Sequence, residues 1–345
     1  MSLFSNLLNI YNSQSLPGHQ DLLTMLDKSL TLLENEVTFY RKAEKGGEKL
    51  AGGLLDFCKG EDKPVVVVPD LHARGYFLLH LLKKEIHIKD ENSCVVKMSI
   101  IEALEKKLIY VVCVGDLFHS ELRCYGRWKK ALENFRNGDV LSLEMKSEML
   151  ENINLLQMIL LLKEKCTENF HFLKGNHENI LNEEGKGNHP FYKMAMEGEM
   201  VYQFLSTVYD DALIYVLSLW EHALPLCAVF KNLVVSHAEP AFSVNKSKII
   251  NYRTNPDVVL ALTWTGNDMA ETGSVSKSVK SLIAKNRKSV VWIGGHRPVS
   301  GQYSLRQKGK FVQIHNPDKE NIALVYPDTK FDPENNIICV NTSAG

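Results

Sequence analysis

Residues 169–178 read Asn-Phe-His-Phe-Leu-Lys-Gly-Asn-His-Glu. The run at 170–173 is short, aromatic and aliphatic. It halts at a glycine and then presents a carboxamide, an imidazole and a carboxylate in succession. Such a run predicts a strand buried on both faces, and the polar triplet predicts its exposed end. The same plan recurs on either side. Towards the N-terminus, residues 108–114 lead into Gly115-Asp116, and residues 65–68, four valines, lead into Pro69-Asp70-Leu71-His72. Towards the C-terminus, residues 229–235 lead into Ser236-His237, and residues 290–293 into Gly294-Gly295-His296. Helical stretches separate these runs. The longest spans residues 142–165, where Ser142 starts the helix and Met145, Met149, Ile153, Leu156 and Leu160 form its apolar stripe. The pattern is that of an α/β protein with a helix-covered sheet, in which ligands bind beyond the carboxyl ends of the strands. Five polar strand ends would therefore converge on one place.

The residue types at those ends specify a chemistry. His72, His237 and His296 supply imidazoles, Asp70 and Asp116 carboxylates, and Asn176 a carboxamide. A mixed nitrogen and oxygen set without thiolate suits Mn²⁺, iron or Zn²⁺. Asp70 and His72 are two residues apart, so on an extended strand end they face one side. Asp116 is placed to bridge two ions about 3.5–4 Å apart. Any one of these residues, alone, would read as an ordinary turn or strand-end polar group. Their repetition at five equivalent positions is what carries the reading.

Composition sets the boundaries. The 345 residues are 45% hydrophobic and 23% charged, with 21 glycines and 11 prolines, so the chain is neither disordered nor collagenous. Forty basic residues against 41 acidic ones give a net charge of −1, which disfavours a general nucleic-acid binder. Seven cysteines match no zinc or disulfide spacing, and Cys94, Cys113 and Cys227 lie in apolar company. We expect a reduced, cytoplasmic protein. The first twenty residues contain no Lys or Arg, and no run approaches the ~20 apolar residues of a membrane helix. Residues 1–50 read as helical, with leucines at 22, 23, 26, 30, 32 and 33, and Gly46, Gly47, Gly52 and Gly53 suggest a hinge.

The ordered set of strand ends resembles the calcineurin-like metallophosphoesterases, most closely their phosphoprotein (Ser/Thr) phosphatase branch. That family reads Gly-Asp-x-His-Gly, Gly-Asp-x-x-Asp-Arg-Gly, Gly-Asn-His-Glu, His-Gly-Gly and a late His. Residues 169–178 nearly complete the third block, and residues 224–240 and 263–268 are similar to the later ones. The resemblance implies a four-layer α/β/β/α sandwich of two mixed sheets flanked by helices. It sets residues 1–60 apart as a helical extension of a catalytic domain at 61–345. It implies two divalent cations, Mn²⁺ first, with Fe or Zn as alternatives. Asp70, His72 and Asp116 would hold one, and Asp116, Asn176, His237 and His296 the other. It also implies a hydrolase acting on phosphomonoesters, whether a phosphorylated protein or a small phosphoester. A metal-bridging hydroxide would attack phosphorus, and His177 would protonate the leaving oxygen. Glu178 is expected to be structural.

The sequence departs from the family at several points. Pro69 and Ala73 replace glycines of the first block. In the second block, His119 stands at the second Asp and Ser120 at the Arg. His119 could hydrogen-bond His177 but brings no carboxylate charge, and Glu121 is a possible substitute. Ser120 cannot clamp a phosphate by charge, so Arg74, Arg297 and Arg123 become the candidates, together with Asn176, for binding substrate. Pro298 closes the late block after Arg297, and His315 is expected at the rim and not as a ligand. These changes spare the metal cage and touch substrate handling. They leave open a nucleotide phosphohydrolase resembling the dinucleoside polyphosphatases, or a metal-binding scaffold with impaired catalysis.

Overall fold

A computed structural model describes residues 1–45, 50–284 and 289–341. In chain order its strands are β1 (Arg41–Ala43), β2 (Ala51–Asp56), β3 (Val65–Val68), β4 (Glu85–Lys89), β5 (Val95–Ser99), β6 (Tyr110–Cys113), β7 (Phe170–Phe172), β8 (Cys227–Val229), β9 (Leu233–Ser236), β10 (Val291–Gly294), β11 (Ser304–Arg306), β12 (Phe311–Gln313), β13 (Asn321–Val325) and β14 (Ile337–Cys339). The helices are α1 (Leu3–Tyr11), α2 (His19–Glu34), α3 (Gly75–Lys83), α4 (Ile100–Glu105), α5 (Tyr125–Arg136), α6 (Leu143–Lys165), α7 (Glu197–Val208), α8 (Asp211–Ala223), α9 (Lys246–Ile250), α10 (Pro256–Thr263), α11 (Ser274–Leu282) and α12 (Pro333–Asn336).

Two mixed sheets lie face to face. One runs β14–β13–β3–β6–β7, the other β1–β2–β8–β9–β10–β12–β11, and β4–β5 is a separate hairpin. β3, β6 and β7 are parallel, with Val67 opposite Val112 and Cys113 opposite Phe172. β9, β10 and β12 are likewise parallel, with Val235 opposite Ile293 and Ile293 opposite Val312. The valines of β3 show how the layers arise. Side chains alternate across a strand, so Val65 and Val67 enter the core between the sheets with Val112, Val235 and Ile293. Val66 and Val68 enter the outer core beneath α1 to α8, with Phe77, Leu156 and Phe204. Beyond the second sheet, Val229, Val234 and Trp292 pack against Ile249, Leu262 and Val279 of α9, α10 and α11. Each fully buried valine contributes on the order of 1.5–3 kcal/mol. The result is the expected four-layer sandwich.

α6 begins where the sequence places it, with the Ser142 hydroxyl accepting the Met145 N–H at 3.3 Å. Its apolar stripe is buried, and so are the polar residues Glu148, Asn152, Asn154 and Lys163. No helix among the described residues is long and apolar enough to cross a membrane.

Four local expectations need correction. The helical reading of residues 1–50 ends at Glu34, because the buried Arg41 guanidinium ties β1 to its surroundings through Glu36, the Gly52 carbonyl and the Ala223 carbonyl. Gly52 and Gly53 are strand residues of β2, not a hinge; a Cβ at Gly53 would sit 2.6 Å from the Ile249 carbonyl oxygen, so glycine lets α9 lie against the strand. Gly46 and Gly47 lie outside the described residues. The run 229–235 is two strands, β8 and β9, paired antiparallel with Val229 opposite Val234. Cys94 is exposed on the β4–β5 hairpin, whereas Cys113 and Cys227 are buried.

Candidate metal centre

The carboxyl ends of β3, β6, β7, β9 and β10 meet at one point between the sheets. The loops there are held in conformations that side chains rarely adopt: φ is +44° at His72, +55° at Asp116, +67° at His119 and +65° at His296. Left-handed backbone at non-glycine residues costs on the order of 1–3 kcal/mol each and persists where the surroundings over-determine it. Those surroundings are visible. The His72 N–H donates to the Asp116 carbonyl at 2.8 Å, and the Glu178 carboxylate accepts the N–H groups of Asp116, Leu117 and Gly175 at 3.0, 2.8 and 2.6 Å. Glu178 is thus structural, as expected. From α6, Asn152 accepts the His119 N–H and Glu148 the Ser120 N–H, each at 2.8 Å.

Four donor atoms lie close together on one side. His237 Nε2 is 2.9 Å from Asn176 Oδ1, 3.2 Å from His296 Nδ1 and 3.5 Å from Asp116 Oδ2. His296 Nδ1 is 3.0 Å from Asn176 Oδ1. On the other side, His72 Nε2 is 3.5 Å from Asp116 Oδ2 and 3.9 Å from Asp70 Oδ2. Asp116 belongs to both sides. Two ligand atoms at about 2.1 Å from one ion are about 3 Å apart at a right angle and about 4 Å apart across it, so these separations suit cations.

The tautomers suit them as well. The His72 Nδ1–H is shared between the carbonyls of Phe118 and His119 at 3.2 and 3.0 Å, and the His237 Nδ1–H donates to Val114 at 3.2 Å. Each ring therefore turns an Nε2 lone pair inward, the arrangement metal-ligating histidines use. Burial pushes the imidazoles of His72, His237 and His296 down, His237 to about 4, so they present lone pairs at neutral pH. Asp116 shows the complementary strain. Burial, followed by the carboxylates of Asp70 and Glu178, drives its carboxyl well above the usual range. A cation removes that penalty. The residues present fit a pair of divalent ions.

His177 borders the same cluster, with Nε2 3.6 Å from Asp116 Oδ2. Its Nδ1 is 2.7 Å from His119 Nδ1, so one proton joins the two rings. Burial, then His72, pushes the His119 imidazole down to about 3, and it is neutral. A cavity of about 350 Å³ opens over the cluster, walled by Phe191, Tyr192, Lys193, Trp264 and Arg297.

Of the three arginines expected at the substrate, only Arg297 lines this cavity; the residue is exposed, with no ion pair among the described residues. Arg74 is instead buried. Its N–H groups go to the carbonyls of Leu71, Asn316, Pro317, Lys319 and Asp70, so it braces the β3 loop. Arg123 pairs with Glu151 at 2.6 Å and faces a neighbouring groove. Lys193 is the cation that sequence reading missed; it sits on a long loop between β7 and α7, with no motif to mark it. Two further expectations change. Glu121 pairs with His315 at 3.0 Å and not with His177. His315 is fully buried inside the site and not at its rim.

A four-layer sandwich carrying a histidine–carboxylate cluster at converging strand ends defines the metallophosphoesterase class. Residues 63–300 match the family described as calcineurin-like phosphoesterase, and the chain belongs to that family, whose members are hydrolases acting on phosphoesters. No curated protein sequence matches the chain. Among solved structures it is similar to a protein serine/threonine phosphatase from Saccharomyces cerevisiae with similarity to human phosphatase PP5. The TM-score is 0.56 at 13% identity, over 94% of this chain and 89% of that one. It also matches a cold-active protein tyrosine phosphatase, with a TM-score of 0.45 at 14% identity over 84% of each chain. At these identities the likeness is one of fold.

Proposed function

We propose that the chain is a dinuclear metal-dependent phosphatase acting on phosphomonoesters, phosphorylated proteins among them, with Mn²⁺ as the preferred ion. One observation carries the reading: two donor sets meet across a single shared carboxylate, Asp116, at the separations given above. Asp70, His72 and Asp116 would hold one ion, and Asp116, Asn176, His237 and His296 the other. When bound, such ions would supply a nucleophile at neutral pH and neutralise charge on the phosphoryl oxygens. The protein's own groups do the rest. His177 turns Nε2 towards the cavity and delivers a proton to the leaving oxygen. His119 fixes the orientation of His177 through the shared proton, without adding charge. Arg297 and Lys193, which both line the cavity, draw the phosphate in and take over from the arginine that Ser120 replaces. Tyr192 and Trp264 border the space a leaving group fills.

The test is hydrolysis of p-nitrophenyl phosphate and bis-p-nitrophenyl phosphate after chelation and re-addition of Mn²⁺. Metal-restored turnover of the monoester, lost by at least ~100-fold in Asp116→Asn, supports the reading. Preference for the diester, or Asp116→Asn turning over as wild type, refutes it.

A further inference from the structure

His315 belongs to no motif that points to the metal centre, yet its imidazole faces the cluster. The residue follows β12, which lies beside β10 in the larger sheet. It is fully buried, in van der Waals range of His72, with ring centroids 5.4 Å apart. Its Nε2 is 3.0 Å from Glu121 Oε2. A carboxylate oxygen at that distance accepts, so the His315 Nε2–H donates to Glu121. That hydrogen bond leaves the lone pair on Nδ1. Nδ1 has no hydrogen-bond partner in the protein, although it is sealed from solvent. It points at Asp70 Oδ2, 3.9 Å away, the same separation that divides His72 Nε2 from that oxygen. One ligand atom from each of Asp70, His72 and His315 can be chosen so that all three lie within 4.8 Å of one another.

An unpartnered buried nitrogen is destabilising, and a chain keeps such an atom where something else satisfies it. The carboxylate behind the imidazole is the outer-shell arrangement that sets the tautomer of a metal-bound histidine and raises its basicity. We propose that His315 is a protein ligand of the ion held by Asp70 and His72, with Glu121 as its positioning residue. Resting on the dinuclear reading above, this adds a third terminal donor to that ion besides the shared Asp116. It also explains why Glu121, beside the altered second block, turns away from His177.

The experiment titrates metal-free protein with Co²⁺ and follows the visible ligand-field absorption, with bound metal counted after gel filtration. Wild type is expected to take up two ions. His315→Ala weakens one of them by at least ~10-fold and leaves the other, because the His237 side is untouched. His315→Cys offers a thiolate in place of Nδ1. It restores the second ion and adds a thiolate-to-cobalt charge-transfer band absent from wild type, a signature that a packing role cannot produce. Glu121→Gln keeps an oxygen acceptor for Nε2–H but loses the carboxylate charge, and is expected to weaken the same ion by ~10-fold while leaving the other; wild-type affinity for both ions in that variant removes Glu121 from the positioning role. Uptake of two ions by His315→Ala with wild-type affinity overturns the assignment, as does a folded His315→Cys protein without the band. Should wild type itself take up no Co²⁺, the dinuclear reading is what fails.

Discussion

Gly295→Ala tests whether the metal cage depends on close approach of backbone to ligand. A Cβ built on Gly295 lies 1.8 Å from Asp70 Oδ1, 2.9 Å from Asp70 Cγ and 3.1 Å from Val114 Cγ2. Real Cβ contacts essentially never fall below 3.0 Å, so the carboxylate or the strand end must yield by about 1.2 Å. Neither is free to move. Asp70 is fully buried, and its two oxygens accept the His296 N–H at 3.1 and 2.9 Å. The Gly295 N–H donates to the His237 carbonyl at 2.8 Å, so a shift of the backbone drags two proposed ligands with it. Misplacing a reacting group by about 1 Å costs ~10²-fold in rate, equivalent to about 2.7 kcal/mol of barrier. The overpacking itself removes about 1–3 kcal/mol of stability. The assay measures kcat/KM on p-nitrophenyl phosphate in saturating Mn²⁺, Mn²⁺ affinity by calorimetry, and Tm in chelator. Gly126→Ala on α5 is the control: its Cβ meets nothing within 4 Å, and removing a helical glycine should stabilise by about 0.5–1 kcal/mol. A Gly295→Ala enzyme within twofold of wild type in both kcat/KM and Mn²⁺ affinity would refute the geometry argued here.

The remaining predictions concern substrate handling and stability. Arg297→Ala and Lys193→Ala should each raise KM about 10-fold with small changes in Tm, since a charge-assisted contact to phosphate is worth about 1.5 kcal/mol. Arg74→Ala should instead lower Tm strongly, by about 3 kcal/mol of stability, because it strands several buried carbonyls; a selective KM effect in that variant would contradict its bracing role. Glu36 governs an acid transition. Burial raises its carboxyl, but Lys163, Arg41 and His171 outweigh that and hold it at about 2. A depressed carboxyl stabilises the fold above its unfolded value of 4.5, and that contribution of about 3 kcal/mol is lost as pH falls from 4.5 towards 2. Urea midpoints against pH should show this limb, and Glu36→Gln should flatten it while lowering stability at neutral pH.

The boundary between what the sequence disclosed and what it hid follows from the range of each interaction. β3 and α6 were legible because their determinants are local: four consecutive valines buried on both faces, and a serine cap ahead of a helical stripe. That the proposed ligands come together was legible for a related reason. Each member directly follows a short buried strand, and strand ends in such a sheet share one destination. Arg74 and Arg297 illustrate the failure. Both are arginines within two residues of a proposed histidine ligand, and nothing local marks one as brace and the other as clamp. What separates them is whether carbonyls from residues 316–319, far along the chain, come within reach. The helical pattern of residues 1–50 misled for the same reason, since Arg41 is drawn into a strand by Ala223, 182 residues away. His315 is the sharpest case. Its neighbours in sequence are those of an ordinary sheet-end residue, and only the pairing of β12 with β10 carries it behind Asp70 and opposite Glu121. Local patterning fixes elements and the residues at their tips. Whether a charged or imidazole side chain there becomes brace, clamp or ligand is decided by long-range packing, because burial sets both the cost of an unpaired polar atom and the partners that can relieve it.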